Sequence, residues 1–474
     1  MLRHAALAFG LLAATFAPAT ARTIEIRIGH QSMCTDTYPA GEVVMHKGLL
    51  AKYLPHTGKY AGMKYDIEWS DYSSGGPITQ MMMARKLDFG VMGDYPLVVN
   101  GARFQATDKE RSYLIALTNY NLDGASNGIV VPVDSPVRSV RGLEGKTISV
   151  PIGSAAWGML FEMAQDQHIP MDKFHIVNQT PMVGIASITM HKIDAHADFC
   201  PMSEFMEFNG TGRMIYSGAA THVPYLHGIV VTRAFADKYP EIAVAYVKAL
   251  IAAQAWITAD PERAATKLAK WTMIPKEVLY LYFSHGGYLN PDPTFKPLWL
   301  KTLAYDHSIL AKYAHIPPLD MKAWVNPSFM ETAYKELGLN YAKALATTPD
   351  NPKSNIGLPP ELWLAGQHVR RLPDNAALLA AIRAAGAANK KIDAAYVYDQ
   401  ATGLKLFAQF AYYVKQPDGR IAAYMTTGEA THAAGTAKVQ SFAETLGVKG
   451  LAEAMIARRQ MPMHMSPTKQ IQRN

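Results

Sequence analysis

The chain has 474 residues and a mass of 52.0 kDa, a length that predicts about two to four compact units. Hydrophobic residues make up 49% and charged residues 18%, which supplies large buried cores and excludes wholesale disorder. Lys+Arg 46 against Asp+Glu 39 leaves +7, spread without a basic block or stripe, so a nucleic-acid footprint is missing. Two cysteines exclude a disulfide scaffold and a four-thiolate zinc site.

Residues 1–21 read as a secretory signal peptide. Met1, Leu2, Arg3 and His4 form a basic start, 5–16 is apolar, and Ala19-Thr20-Ala21 offers small residues for cleavage. The mature chain from residue 22 is expected to be soluble and periplasmic, in an oxidising compartment. Its first strand is the alternating run 23–30, followed by a helical pattern over 41–53 and a strand over 64–69. The turn 73–77 leads into a helix over 78–85, then a strand over 87–93 and a helix from 96. Strand readings at 128–133, 143–150 and 174–178 alternate with helices over 153–163 and 183–190, and 228–232 is a strand that returns to the first lobe. This alternation predicts two α/β lobes built on parallel sheets, within a unit covering 22–346.

From 240 to 345 the pattern is helical. The polar, proline-bearing stretch 347–355 places a linker at 347–360. Residues 361–459 are then a small α+β unit: a helix over 376–388, strand-like runs at 392–399, 403–414 and 420–426, and a final helix over 436–459. A Met-rich tail, 460–474, closes the chain.

Five pieces carry a family resemblance: Ile28-Gly29-His30, Lys86-Leu87-Asp88-Phe89-Gly90, Leu143-Glu144-Gly145-Lys146, Pro151-Ile152-Gly153-Ser154 and Lys192-Ile193-Asp194-Ala195-His196. In this order they resemble periplasmic solute-binding proteins of ABC importers of the nitrate/sulfonate/taurine class, over residues 23–345. The resemblance implies a hinged, two-lobe, type II-like periplasmic-binding-protein fold. Its lobes close over a small ligand and present it to an ABC permease. In the C-terminal unit, Ala395-Tyr396-Val397-Tyr398-Asp399, Thr402-Gly403, Ala411-Tyr412-Tyr413-Val414 and Ser441-Phe442-Ala443 are similar to the copper-handling accessory lipoprotein of nitrous oxide reductase. That similarity implies delivery of Cu(I). The usual N-terminal cysteine-methionine motif of that family is absent, since neither cysteine lies beyond residue 200; Met461-Pro462-Met463-His464-Met465 stands in its place.

The first resemblance also implies a cleft. The turn 29–35 faces the turn 196–202, bringing His30, Met33 and Cys34 opposite His196, Cys200 and Met202. Thiolate, thioether and imidazole are soft ligands that suit Cu(I). A Cys34–Cys200 disulfide and a pair of packed thiols are the other two readings. Gly76 and the helix start at Ser154 and Ala155 offer free N–H groups, which suit an anion or simply begin a helix. Asp94, Tyr95, Tyr120, Trp157, Asp198, His222 and Tyr225 sit at strand or helix ends and complete the candidate pocket. No Arg or Lys occurs in these turns, which counts against a strongly charged sulfonate. In the tail, Met461, Met463 and Met465 alternate around His464, a thioether–imidazole set for Cu(I) or a docked or disordered end.

The chain has no G-x-S-x-G, H-E-x-x-H, P-loop or C-x-x-C, so an enzyme is not expected. The expected function is capture of copper, a copper complex or a small sulfur- or nitrogen-containing solute for ABC import. The alternative is a periplasmic metallochaperone that delivers Cu(I) to a cuproenzyme.

Overall fold

A computed structural model describes residues 22–107, 111–456 and 470–473. The signal-peptide reading at 1–21 and the Met461–Met465 ligand reading lie outside the described residues.

The first strand, Thr23–His30, buries Ile24, Ile26 and Ile28 on one face. Its Arg27 reaches Asp88 through two bonds, Nε to Oδ2 at 2.9 Å and Nη2 to Oδ1 at 2.8 Å. Strand Thr23–His30 pairs in parallel with Lys64–Asp71 and with Phe89–Gly93. Beyond Phe89–Gly93 the sheet turns antiparallel, through Tyr225–Thr232, Ser112–Asn121 and the short Asn290–Pro291. Gln470–Arg473 pairs antiparallel with Lys64–Asp71 at the opposite edge. The sheet is therefore mixed, a correction to the all-parallel expectation. Its cause is the chain's return along Tyr225–Thr232 to pair beside Phe89–Gly93.

The second lobe holds a five-stranded sheet in the order His175–Asn178, Thr147–Val150, Ala195–Phe199, Asn127–Pro132, Gly212–Ser217. The strand expected over 143–150 begins only at Thr147, because Gly145 takes a left-handed φ of 76° and a 3-10 turn occupies Val140–Leu143. The chain crosses between lobes twice, at 121–127 and at 217–225. The lobes are closed on each other. On helix Ala155–Asp166, a Cβ at Gly158 would lie 2.2 Å from the Tyr95 ring of the other lobe, so only glycine permits this approach.

The helical block starts with Pro240–Ala259, whose length and apolarity suffice to cross a membrane. Here 61% of its apolar window is buried, with Tyr246 Oη donating to the Ala40 carbonyl at 2.7 Å. Pro261–Thr272 begins with proline at its start and Asp260 Oδ1 accepting from Arg263 N at 3.0 Å. Pro297–Ala314 packs against both Asp94–Gln105 and Ala155–Asp166, one helix from each lobe.

The C-terminal unit carries two antiparallel sheets. One orders Arg370–Arg371, Glu361–Leu364, Ile392–Tyr398, Lys405–Phe407; the other Ile421–Tyr424, Tyr412–Lys415, Val439–Ser441. Helix Asn375–Ala387 covers a core of Leu362, Leu378, Ile382, Val397 and Phe442. The single helix expected over 436–459 is instead strand Val439–Ser441 and helices Phe442–Leu446 and Lys449–Ile456. The strand pairs with Tyr412–Lys415, and Gly447 at φ 71° ends the first helix. The unit is docked on the lobes: Trp363, Tyr396 and Phe407 join the main core, and Tyr396 Oη donates to the Glu277 carbonyl at 2.8 Å.

Candidate functional site

The turn after the first strand is held by its own lobe. Ser32 N and Oγ donate to the two Asp71 carboxylate oxygens at 2.6 and 2.7 Å, and Tyr38 Oη donates to the Ser32 carbonyl at 2.8 Å. Thr37 Oγ1 bonds the carbonyls of Gln31 and Cys34. Cys34 is thereby fixed at the lobe boundary, 1% exposed. From the other lobe, Cys200 leaves strand Ala195–Phe199 just before helix Met202–Phe208. Their Sγ atoms are 2.9 Å apart, well beyond the ~2.05 Å of a disulfide bond, and both thiols are free.

His227 completes the group. It lies on strand Tyr225–Thr232, with Nε2 3.6 Å from Cys34 Sγ and 3.9 Å from Cys200 Sγ. The three ligand atoms lie within 4.8 Å of one another, close enough to share one metal ion. Burial pushes the His227 pKa down to about 3, so its imidazole is neutral and has a free lone pair. Its Nδ1 stands 3.6 Å from Asp36 Oδ2 and has no hydrogen-bond partner. Burial also lifts the Asp36 carboxyl to about 7 and raises the Cys200 thiol well above its ordinary value. Bringing a cation to this group would reverse both penalties.

His227 is not among the residues singled out from sequence. Its signal is the period-two spacing from Tyr225, which puts both side chains on one face of a strand; their rings meet at 4.3 Å. Tyr225 Oη stands 3.9 Å from Cys200 Sγ.

Two expected ligands point elsewhere. His196 lies in strand Ala195–Phe199 and is fully buried between Ser149 Oγ, 2.7 Å from Nδ1, and Asp198 Oδ2, 2.8 Å from Nε2. Its ring occupies the space a Cβ at Gly184 would need, 2.0 Å away. The Ser149–His196–Asp198 connectivity is sealed within the second lobe, with all three side chains at 0% exposure, so His196 and Asp198 are framework rather than cleft ligands. His30 turns to Glu42 Oε1 at 3.2 Å, and Glu42 Oε2 meets His46 at 3.3 Å. Burial opposes charge on His30, but Glu42 outweighs it and the pKa rises. Met33 and Met202 flank the thiols in sequence, the first half-buried and the second buried.

Other expected pocket residues divide. Asp94, Tyr95, Ala155 and Tyr225 line one small cavity between the lobes, of about 10 Å³. Ser154 caps its helix by accepting from Trp157 N at 3.3 Å, and Trp157 packs on Phe161 at 4.9 Å. Tyr120 is turned to the linker, where its hydroxyl accepts from Asp350 N at 2.7 Å. His222 is exposed beside Asp123 at 3.8 Å. Gly76 lies in the first turn of Gly75–Met83 with open space around it.

Against known proteins, residues 64–264 match the family model described as NMT1/THI5 like. The chain is 25% identical over 313 residues to a candidate aliphatic sulfonates-binding protein of Bacillus subtilis (strain 168), covering 66% of this chain and 89% of that one. It is also 25% identical over 236 residues to the taurine-binding periplasmic protein of Escherichia coli (strain K12), covering 48% of this chain and 70% of the relative. The alkanesulfonate-binding protein SsuA from Xanthomonas axonopodis pv. citri, solved with MOPS bound, superposes with a TM-score of 0.55 at 18% identity. That match covers 65% of this chain and 99% of SsuA. The fold is the type II periplasmic-binding-protein fold, extended by the antiparallel sheets of the C-terminal region.

Proposed function

We propose that this protein is an exported solute-binding component of an ABC importer whose cleft takes a soft metal ion, Cu(I) being the best match, or a small complex of one. The observation that carries the reading is the convergence of Cys34 from one lobe and Cys200 from the other, with His227, inside 4.8 Å. Two thiolates and a neutral imidazole form a soft donor set, and binding would release the thiol protons to solvent. Because the donors come from both lobes, ligand capture and closure would be one event, the state a permease recognises. The names of the relatives point to sulfonates and taurine. Against an anion stands the lining of the interlobe cavity, which holds Asp94 and Glu162 and neither Lys nor Arg.

Delivery to a cuproenzyme is the weaker reading, because transfer needs exposed ligands and these three are at most 1% exposed. The metal reading is placed on the cleft group. Among the described residues, no second group of His, Cys, Asp and Glu converges as tightly as the cleft one. The test is an anaerobic Cu(I) titration of reduced mature protein against a competing chelator. Parallel samples carry Cys34→Ala with Cys200→Ala, or lack residues 460–474. Uptake that disappears with the cysteines and survives loss of the tail supports the reading. Uptake lost only with the tail moves copper out of the cleft, and no tight uptake in any sample ends the metal reading.

A further inference from the structure

The interlobe cavity that Tyr225 lines also holds several hydrogen-bond acceptors. Asp94, from the first lobe, accepts from Tyr95 N at 2.8 Å through Oδ1 and from Leu226 N at 2.9 Å through Oδ2. Glu162, from the second lobe, accepts from Tyr95 Oη at 2.5 Å. Both carboxyls line the same cavity of about 10 Å³. Asn127, also from the second lobe, lines it too; the residue is 6% exposed and its Oδ1 has no hydrogen-bond partner. No Lys, Arg or His lines the cavity. Asp306, on the helix that bridges the lobes, adds a third carboxyl that interacts with both Asp94 and Glu162. It is fully buried, and neither carboxyl oxygen has a hydrogen-bond partner.

Such a place lacks one thing, a positive donor. Buried carboxyls without a counter-charge are costly, and an orphan amide oxygen adds to that cost. The cavity is about the size of one water, hence of one ammonium head group. Among the described residues these carboxyls join no group of three His, Cys, Asp or Glu ligand atoms within 4.8 Å of one another, as the thiol–imidazole group does. An –NH₃⁺ group, with three diverging N–H donors, suits acceptors spread around it.

We propose that the interlobe cleft contains a second subsite, in which Asp94 and Glu162 clamp a protonated primary amine of the ligand from opposite lobes and Asn127 Oδ1 accepts its third N–H. The subsite rests on the reading that the cleft is where this protein binds its solute, and it makes that solute a cation-bearing one. Burial lifts the Glu162 carboxyl to about 7 and the Asp94 carboxyl well above its ordinary range, so an arriving ammonium displaces protons. Asp94, Tyr95, Asp306, Tyr305 and Tyr216 are the titratable groups that face Glu162, and all are acidic. Affinity for an amine therefore rises with pH through about 7.

The experiment is thermal unfolding of metal-free mature protein with n-propylammonium, 1,3-propanediammonium or propanesulfonate, on wild type, Asp94→Asn and Glu162→Gln. Near-UV circular dichroism reports that each variant is folded. The expected result is a concentration-dependent rise in Tm with the amines alone, lost in both variants. A rise with propanesulfonate, an amine response that persists in both variants, or no amine response at all would overturn the subsite. A Cu(I) titration of the same wild-type sample separates the two readings. Amine response without Cu(I) uptake leaves the subsite standing and removes the metal, whereas Cu(I) uptake without amine response removes the subsite.

Discussion

The interface that docks the C-terminal unit and the cleft between the lobes both bury charged groups, and the lysines of the first are paired where the acids of the second have no cation. At the docking interface two lysines have acidic partners, while Glu204, which lines a small cavity against Phe407 and Phe410, keeps one carboxyl oxygen unpartnered. Lys405 is fully buried and donates to Glu361 at 2.9 Å and to Ser284 at 2.7 Å, inside a ring of Tyr280, Tyr396 and Tyr398. Lys276 bonds Asp393 at 2.7 Å and lies 3.9 Å over the Trp363 ring. In the cleft, Asp94, Glu162 and Asp306 face one another without a cation, and His227 Nδ1 and Asn127 Oδ1 lack partners. Burial without compensation is where a fold gives up stability for a ligand, so the contrast between the paired lysines and the three cleft acids marks the cleft as a site.

Lys405→Met gives the largest effect expected from this contrast. It leaves Glu361 buried beside Arg371 alone, at 3.5 Å, and removal of one partner of a buried pair costs about 3–5 kcal/mol. Urea unfolding should show that loss with the C-terminal unit undocking first, while Cu(I) uptake by the cleft is unchanged. A loss below about 1 kcal/mol would mean that the pair is solvent-screened and the contrast false.

A smaller effect comes from Glu162. Burial raises its carboxyl from 4.5 to about 7, so the folded protein holds a proton that the unfolded chain has lost between those values. Stability from this group is therefore greatest at acid pH and declines as pH rises through about 7. Glu162→Gln should gain on wild type across that window by up to about 3 kcal/mol, and the difference should be flat below pH 4.5. Paired denaturation curves from pH 4 to pH 8 measure it, and a flat difference throughout would place the carboxyl in contact with solvent. Asp36, Glu204 and Glu207 share the direction and His227 opposes it, which is why the difference, not the wild-type curve, is informative.

How much of this was legible beforehand follows from the range of each signal. Alternation and turn residues are local, so the strands at Thr23–His30 and Lys64–Asp71 are readable directly. The antiparallel return of Tyr225–Thr232 depends on a pairing more than 100 residues away, and periodicity cannot see it. The approach of Cys34 to Cys200 reaches the sequence only through the family resemblance. His196 fails as a ligand because strand alternation aims it under Gly184, while His227 succeeds because alternation puts it beside Tyr225. Glu162 and Asp306 sit on helices where a single acidic residue looks like ordinary solvation. Only the packing of Pro297–Ala314 across both lobes brings them to one place.

Asp306 provides the finest cut. Its carboxyl is raised well above the ordinary range, first by burial and then by Asp94 and Glu162. Asparagine keeps the shape and removes the charge. Below the pH at which an ordinary aspartate ionises, the folded and unfolded states both hold the proton, so Asp306→Asn should be near neutral there. At pH 8 the variant is relieved of the penalty the aspartate carries, and should be the more stable by about 1 kcal/mol. The same variant reads the reach of the amine subsite. Asp306 does not line the cavity, so it acts on an ammonium only through space, and its loss should weaken n-propylammonium by a few-fold where Asp94→Asn abolishes the response. Equal losses in the two variants would make Asp306 a direct ligand and shift the subsite toward the bridging helix. No loss would confine recognition to the two lobes, leaving Asp306 as a brake on closure that an empty cleft must overcome.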